Sequence, residues 1–328
     1  MKVRVLGSAA GGGVPQWNCR CTNCQAARQP NGPVVPRTQS SVAISAEGEY
    51  WFLLNVSADV RQQINAHRNL WPAGNLGRGT SIAGCLLTDA EIDHTSGLLQ
   101  LREGCRFSIY STSLVHRWLT DDLPIARIRK KFAEREWIEL NEDEPTELML
   151  PSGLPSGLEV TIVDVGHDVP RYVTNDFPGQ FGSIVGFLIR DLRTGSNIVY
   201  APGVSKLSSS LATAAEHADA ILLDGSFWSD DEPQRLGIGP SSAREMGHIP
   251  VSGPAGTLEW LASQTALHRT YVHINNTNPM LYEGGPEHQR VSQAGIRVAE
   301  DGDEFDLSGK RFATDRRLAR GVGGDTHQ

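Results

Sequence analysis

The sequence predicts an α/β protein in which sheets and helices pack as layers. Short runs rich in β-branched residues recur along the chain, for example "YWFLLNVS" and "AILLDGS", and many of them end at Gly, Asp or Asn. Helix-like segments such as "SADVRQQINAHRNL" separate these runs. No internal repeat or low-complexity linker divides the chain, so we expect residues 1–315 to form a single domain. The polar, glycine-rich tail at 316–328 is predicted to be poorly ordered.

The composition is that of an ordinary globular protein and excludes two classes of partner. Hydrophobic residues make up 39% and charged residues 21% of the 328 positions. The net charge of −8 provides no basic field that would attract nucleic acid. No apolar run approaches the length of a membrane span, and "MKVRVLGSAAGGG" indicates a strand and a glycine loop rather than a signal peptide. We therefore predict a cytoplasmic protein with neither nucleic-acid nor membrane partners.

Three of the five cysteines crowd into "CRCTNC" as Cys19, Cys21 and Cys24. Cysteines separated by one residue are poor disulfide partners, and clustered thiols in a reducing compartment more often hold a metal ion. Cys85 and Cys105 lie in apolar contexts and are predicted to be buried, inert thiols.

The stretch "CLLTDAEIDHTSGLLQL" places three carboxylates and a histidine directly after an apolar run. In an extended segment Asp89, Glu91 and Asp93 would share one face, where their charges repel unless protons or a cation lie between them. His94 beside Asp93 adds an imidazole to a carboxylate, which is a pair that binds metals. The alternative is a solvated loop in which Thr95 or Ser96 caps a following helix.

Three later strand-like runs also end in residues that can bind metal or carry protons. His167 and Asp168 follow "TIVDVG", Asp224 ends "AILLD", and His273 ends "TYVH". Each residue alone is more typical of a hydrogen-bonded structural position. Because the ends of buried strands lie where α/β enzymes place their chemistry, the four segments together favour a metal site at one edge of a sheet.

Together these segments resemble the PqqB family, a branch of the metallo-β-lactamase superfamily. The resemblance is carried by "GSAAGGGVPQWNCRCTNCQAAR", "RTQSSVAIS", "LLTDAEIDHTSGLLQLREG", "YAPGV", "LLDGSFW", "MGHIPVSGP" and "HINNTNPML". It runs from residue 7 to about 281 and implies an αββα sandwich, with two mixed sheets flanked by helices and a metal site at one edge.

The sequence departs from the hydrolases of this superfamily at their metal ligands. Their first motif, His-x-His-x-Asp-His, is Asp89-x-Glu91-x-Asp93-His94 here, and Gly203 stands where their bridging aspartate is expected. What remains is Asp93, His94 and His273. Two histidines and one carboxylate suit non-haem Fe(II) oxygen chemistry, whereas a zinc hydrolase would keep a histidine-rich sphere.

The resemblance implies a function in pyrroloquinoline quinone (PQQ) biosynthesis. The expected reaction is the Fe(II)- and O₂-dependent hydroxylation of the tyrosine ring in a cross-linked Glu–Tyr precursor, with other PQQ biosynthesis proteins as further partners. His167 and Asp224 are candidates for carrying protons or holding the substrate. Asp89 is an equal candidate for the metal sphere and for a hydrogen bond to His94 or to the incoming substrate amine, whereas Glu91 is favoured for the hydrogen-bonding role. Arg37 is the candidate that binds the anionic substrate.

The resemblance also implies a structural zinc held by Cys19, Cys21 and Cys24. The fourth ligand is predicted to be either Asn276 or His248. Two other functions stay open: a carrier that binds the finished quinone without needing metal, and a zinc hydrolase of the same superfamily.

Overall fold

The computed structural model describes residues 1–72, 77–103, 105–132, 136–142, 144–173 and 179–308. In these residues two seven-stranded sheets pack face to face, and helices cover the outer side of each sheet. The predicted αββα sandwich is therefore confirmed. The predicted tail at 316–328 lies outside the described residues.

The first sheet combines an antiparallel half and a parallel half. Its strands are β1 (Lys2–Gly7), β2 (Ser41–Ser45), β3 (Trp51–Leu54), β4 (Ile82–Leu86), β5 (Ser108–Ser111), β6 (Trp137–Glu139) and β14 (Glu304–Asp306). Their order is β14-β1-β2-β3-β4-β5-β6, antiparallel as far as β3 and parallel from β3 to β6.

The second sheet has the same division. Its strands are β7 (Thr146–Met149), β8 (Pro155–Asp164), β9 (Val185–Asp191), β10 (Asn197–Ala201), β11 (Ala220–Asp224), β12 (His268–Val272) and β13 (Arg297–Val298). The strands from β7 to β10 are antiparallel, and those from β10 to β13 are parallel.

Nine α-helices lie in the described residues, and four short 3₁₀ helices accompany them. The α-helices are α1 (Thr22–Ala27), α2 (Val60–Ala66), α3 (Ile92–Thr95), α4 (Ser113–Asp121), α5 (Ile125–Lys130), α6 (Ser209–Glu216), α7 (Glu232–Arg235), α8 (Thr257–Ser263) and α9 (Pro286–Gln293). The 3₁₀ helices are Arg68–Leu70, Ser96–Leu99, Arg244–Met246 and Pro279–Leu281. None of the described helices has the length and apolar character that a bilayer span requires.

The acidic stretch differs from its predicted conformation. A helical turn begins at Ile92, so Asp93 and His94 lie inside α3 rather than in an extended segment. The 3₁₀ helix Ser96–Leu99 follows with Thr95 at its N-cap position, as predicted, but the Thr95 side chain makes no capping hydrogen bond. The Thr95 hydroxyl instead donates to the carbonyl of Glu91 at 2.8 Å. The turn separates Asp93 from Asp89 and Glu91, and these three carboxylates do not line one strand face.

Alternating side chains explain why two sheets stack with helices outside them. Phe52 and Leu54 of β3 enter the core between the sheets, whereas Trp51 and Leu53 pack under the helices of the first sheet. Since both faces of each sheet are covered, the central strands are apolar throughout, as "YWFLLNVS" predicted. The sheets also meet through the backbone, where the amide of Val185 in β9 donates to the carbonyl of Thr88 at 2.8 Å.

We expect stability to depend on pH through the buried His67. Arg4 donates to its Nδ1 at 2.9 Å, and the pKa of His67 falls from 6.5 to about 4, first because of burial and second because of the charge of Arg4. The unfolded chain binds this proton at a higher pH than the folded protein does. The contribution of neutral His67 to the free energy of unfolding is therefore complete above pH 6.5 and is lost as the pH falls toward 4. In the His67→Asn variant, we expect the free energy of unfolding to fall by about 2 kcal/mol less over this pH range than in the parent protein.

Urea titrations across this pH window measure the effect. His217→Asn is the matched control, because His217 is exposed. If the free energy of unfolding depended on pH equally in the two variants, the assignment of this pH dependence to His67 would be wrong.

Candidate metal centre

The predicted site residues gather where strands of both sheets end. Asp89 follows β4 of the first sheet after a short connection. Asp224 is the last residue of β11, and His273 comes directly after β12, its parallel neighbour. His273 adopts a left-handed backbone conformation with φ of 54°, which is uncommon for a side chain of this size and turns the chain sharply at the edge of the sheet.

Asp93, His94 and His273 form one cluster, as predicted from the sequence. Their potential ligand atoms lie within 4.8 Å of one another. The Nε2 atom of His273 lies 3.3 Å from Asp93 Oδ2, and His94 Nε2 lies 4.0 Å from the same oxygen. His94 Nε2 is buried and has no hydrogen-bond partner among the residues that the structure describes. A buried, unpaired imidazole nitrogen beside a carboxylate and a second imidazole fits a metal ion.

Asp89 holds the opposite side of the His94 ring. Nδ1 of His94 lies 2.9 Å from Asp89 Oδ1 and 2.8 Å from Oδ2. The hydroxyl of Thr88 and the amide of Glu91 also donate to this carboxylate. Burial opposes the charge of Asp89, but His94 and these hydrogen bonds outweigh it and hold the Asp89 pKa below its usual value. Of the two roles left open for Asp89, the geometry favours the hydrogen bond that orients His94.

Glu91 lies at the exposed side of the cluster. Its pKa is raised to about 7, first by the desolvation that its protein surroundings impose and then by the charges of Asp89 and Asp93. No hydrogen bond joins its carboxylate to His94 in the described residues, so of its two predicted partners, His94 and the substrate amine, the first is not seen.

Asp224 is completely buried, and protein groups donate to both of its carboxylate oxygens. Its Oδ2 accepts from His248 Nδ1 at 2.6 Å and from the amide of Val204 at 2.9 Å. Its Oδ1 accepts from the amide and the hydroxyl of Ser226 at 2.9 and 2.7 Å. Burial opposes ionisation, yet His248 together with these donors keeps the Asp224 pKa below its usual value. Asp224 therefore orients other residues of the site.

The structure corrects the alternative role of His248 as a zinc ligand near the cysteines. Its ring stacks on that of His273, with centroids 5.5 Å apart and planes inclined by 25°. Its Nδ1 is held by Asp224, because a buried carboxylate requires donors. Sequence reasoning named His248 only as a possible zinc ligand and missed its place beside Asp224 and His273, since no strand-like run precedes it.

Two other predicted site residues lie apart from the cluster. Arg37 is buried, and its guanidinium donates to the carbonyls of Val35 and Ala299 and to the carboxylate of Glu300, so it fastens chain segments and does not face a substrate. The side chain of His167 is 44% exposed and pairs with Asp164 at 3.6 Å.

A glycine loop covers one side of the cluster. A Cβ atom at Gly11 would lie 3.1 Å from Asp93 Oδ2, which is tighter than ordinary side-chain packing. The amide of Gly12 donates to the side chain of Gln39 at 3.3 Å. The sequence offered no role for these glycines, and in the structure the lack of a side chain at Gly11 permits its close approach to Asp93.

Cys19, Cys21 and Cys24 form a second cluster, with sulfur atoms within 4.8 Å of one another. The side-chain amide of Asn276 lies 3.1 to 3.5 Å from all three sulfurs, so Asn276 is the better placed of the two predicted fourth ligands. Its oxygen would serve as the ligand after a flip of the amide. Of the remaining cysteines, Cys85 is buried as predicted, and Cys105 is only partly buried.

The comparisons with known proteins cover nearly the whole chain. Residues 50–274 match the family described as "Beta-lactamase superfamily domain". The "Coenzyme PQQ synthesis protein B" of Pseudomonas putida strain GB-1 is 40% identical over 307 residues, which are 94% of this chain and 100% of that protein. Its namesake from Ectopseudomonas mendocina strain ymp is 41% identical over 92% of this chain and 98% of its own length.

A solved relative has the same architecture. The crystal structure of Zn²⁺-bound PqqB from Methylobacterium extorquens superposes with a TM-score of 0.85 at 40% identity, covering 94% of this chain and 100% of that one.

We expect Cys19→Ser/Cys21→Ser/Cys24→Ser to lose one tightly bound zinc ion per chain and to unfold at a lower temperature. Thiolate ligands hold zinc far better than hydroxyls, and metal binding at such a site adds to folding free energy. Elemental analysis and calorimetry measure the two effects. Cys105→Ser, which lies outside the cluster, should keep both zinc and stability. An unchanged zinc content in the triple variant would contradict the prediction.

Proposed function

Because this chain belongs to the PqqB family of the metallo-β-lactamase superfamily, we propose that it acts in PQQ biosynthesis as a non-haem iron oxygenase. The proposed reaction is the O₂-dependent hydroxylation of the tyrosine ring in a cross-linked Glu–Tyr precursor. The observation that supports it best is the convergence of Asp93, His94 and His273 on one point of the sheet edge.

The donor set favours iron over zinc. One carboxylate and two imidazoles leave coordination positions open, and this combination is typical of Fe(II) sites that activate oxygen. Fe(II) held by these three residues would supply the activation of O₂. Asp89 and Gly203 stand where hydrolases have a histidine and the bridging carboxylate, so the ligand set of those hydrolases is not retained. Asp224, His248 and His273 form a neighbouring group whose potential ligand atoms also lie within 4.8 Å of one another.

The residues around the triad orient it and restrict access to it. Asp89 directs His94 Nε2 inward, while Asp224 and Ser226 direct the ring of His273. His94 and His273 are almost wholly buried, whereas the side chain of Asp93 is 19% exposed. We therefore infer that substrate approaches past Asp93, where the close approach of Gly11 to this carboxylate limits the width of the opening.

The charge around this opening suits the amine of the precursor better than its carboxylates. Glu91 is exposed beside Asp93, and we propose that it contacts the substrate ammonium. Arg37 is buried away from this opening and therefore does not serve as the cationic partner of the substrate.

Anaerobic reconstitution tests the proposal. Protein depleted of the metal at the triad is loaded with Fe(II), then mixed with O₂ and a hydroxylated tyrosine analogue. We expect ring oxidation and O₂ uptake that require Fe(II) and fail with Zn(II). Equal turnover without iron would contradict the oxygenase function. Equal PQQ binding with the triad empty or loaded, without ring oxidation, would favour a carrier.

His94→Ala should abolish both iron retention and ring oxidation, because it removes the buried ligand nitrogen. His167→Ala is the matched control and should retain iron, since His167 pairs with Asp164 outside the triad. Iron content after gel filtration and oxidation rate measure the outcome. Loss of a full equivalent of iron from the His167 variant would place that residue among the ligands.

A further inference from the structure

Ser226 lies between a buried carboxylate and one of the proposed ligand histidines. Its Oγ is 2.7 Å from Asp224 Oδ1, 2.8 Å from His273 Nδ1 and 2.9 Å from the carbonyl oxygen of His273. The side chain is 2% exposed, so these protein groups are its immediate surroundings. A hydroxyl has one proton to donate and can accept in return, and its proton therefore has alternative destinations.

His94 has no comparable freedom. Its Nδ1 faces two oxygens of Asp89, at 2.9 and 2.8 Å, and these oxygens only accept when the carboxylate is ionised. Nδ1 of His94 must therefore carry a proton whether or not metal is bound. The two ligand histidines are consequently held by different chemistry, a carboxylate for His94 and a hydroxyl for His273.

The hydroxyl permits two complete hydrogen-bond arrangements around His273. In the first, Ser226 donates to Nδ1, and the proton on Nε2 faces Asp93 Oδ2 at 3.3 Å. In the second, Nδ1 carries the proton and donates to Ser226, which donates in turn to Asp224. Both arrangements contain the same number of protons, but only the second leaves the lone pair of Nε2 free for a metal ion.

We propose that Ser226 is a positioning residue that sets the tautomer of His273. When metal binds, the hydrogen bonds around Ser226 change from the first arrangement to the second. The first arrangement belongs to the metal-free protein and the second to the loaded protein. Asp224 serves as the final acceptor of the loaded arrangement. This inference rests on the proposed metal triad, but not on the oxygenase reaction.

Nitrogen-15 NMR of histidine-labelled protein tests the proposal directly. Zinc is kept at the cysteine cluster, and a further equivalent of Zn²⁺ is added as a diamagnetic probe of the triad. We expect His273 to change from the Nε2–H to the Nδ1–H tautomer, whereas Nδ1 of His94 stays protonated throughout. A metal-free His273 that is already in the Nδ1–H tautomer, or that carries both protons, would overturn the proposal.

Variants of Ser226 give a second readout. Ser226→Ala leaves Nδ1 of His273 without its partner, and we expect about 10- to 100-fold weaker Zn²⁺ binding at the triad. Ser226→Thr retains the hydroxyl and should recover most of that loss. Ser196→Ala is the matched control, because Ser196 is equally buried and donates to the carbonyl of Leu307, away from the site. Binding by Ser226→Ala as tight as that of the control would contradict the assignment.

The two proposals fail in different ways. If added zinc perturbs neither His94 nor His273, the metal triad itself is wrong, and with it the proposed function. If zinc perturbs His94 while the tautomer of His273 stays constant, only the role of Ser226 is wrong. A normal tautomer exchange without ring oxidation would leave Ser226 correct and the oxygenase reaction wrong.

Discussion

Two buried carboxylates, one from each sheet, hold the proposed metal centre in place. Asp89 follows a strand of the first sheet and fixes His94, while Asp224 ends a strand of the second sheet and fixes His248 directly and His273 through Ser226. A buried carboxylate without donors is strongly unfavourable, so each one draws imidazole, hydroxyl and backbone N–H groups around itself. The ligand nitrogens face one another because their opposite ring nitrogens are engaged in this way.

The loop after His273 connects this centre to the cysteine cluster. Asn23, within α1, donates to the carbonyls of Asn276 and Asn278, and the side chain of Asn278 donates to the carbonyl of Gly225. A short helix near the start of the chain is thereby fastened to the segment that positions the last ligand. We infer that the cysteine cluster supports the left-handed turn at His273 rather than taking part in chemistry.

The layered fold was predicted well from the sequence, because it depends on local patterns, and the resemblance to a family correctly placed Asp93, His94 and His273 close together, while their role as metal ligands stays a prediction. "AILLDGS" and "YWFLLNVS" are buried strands, and the order of Asp93 and His94 after an apolar run matches a family signature. The roles of Asp224 and Arg37 depend on contacts with residues far away in the chain, and such contacts leave no periodic signal. His248 likewise became part of the site only through its contact with Asp224, which no spacing rule could supply.

The proposed ligands are divided between the sheets, with Asp93 and His94 on the first and His273 on the second. Their mutual distances are consequently set by the packing between the sheets, where Phe187 and Tyr200 lie, and by the backbone contact between Val185 and Thr88 next to Asp89. Interior side chains that do not touch the proposed ligands thus act as spacers for the coordination sphere. Substitutions among these core residues are therefore expected to change the distances between the ligands without altering any ligand.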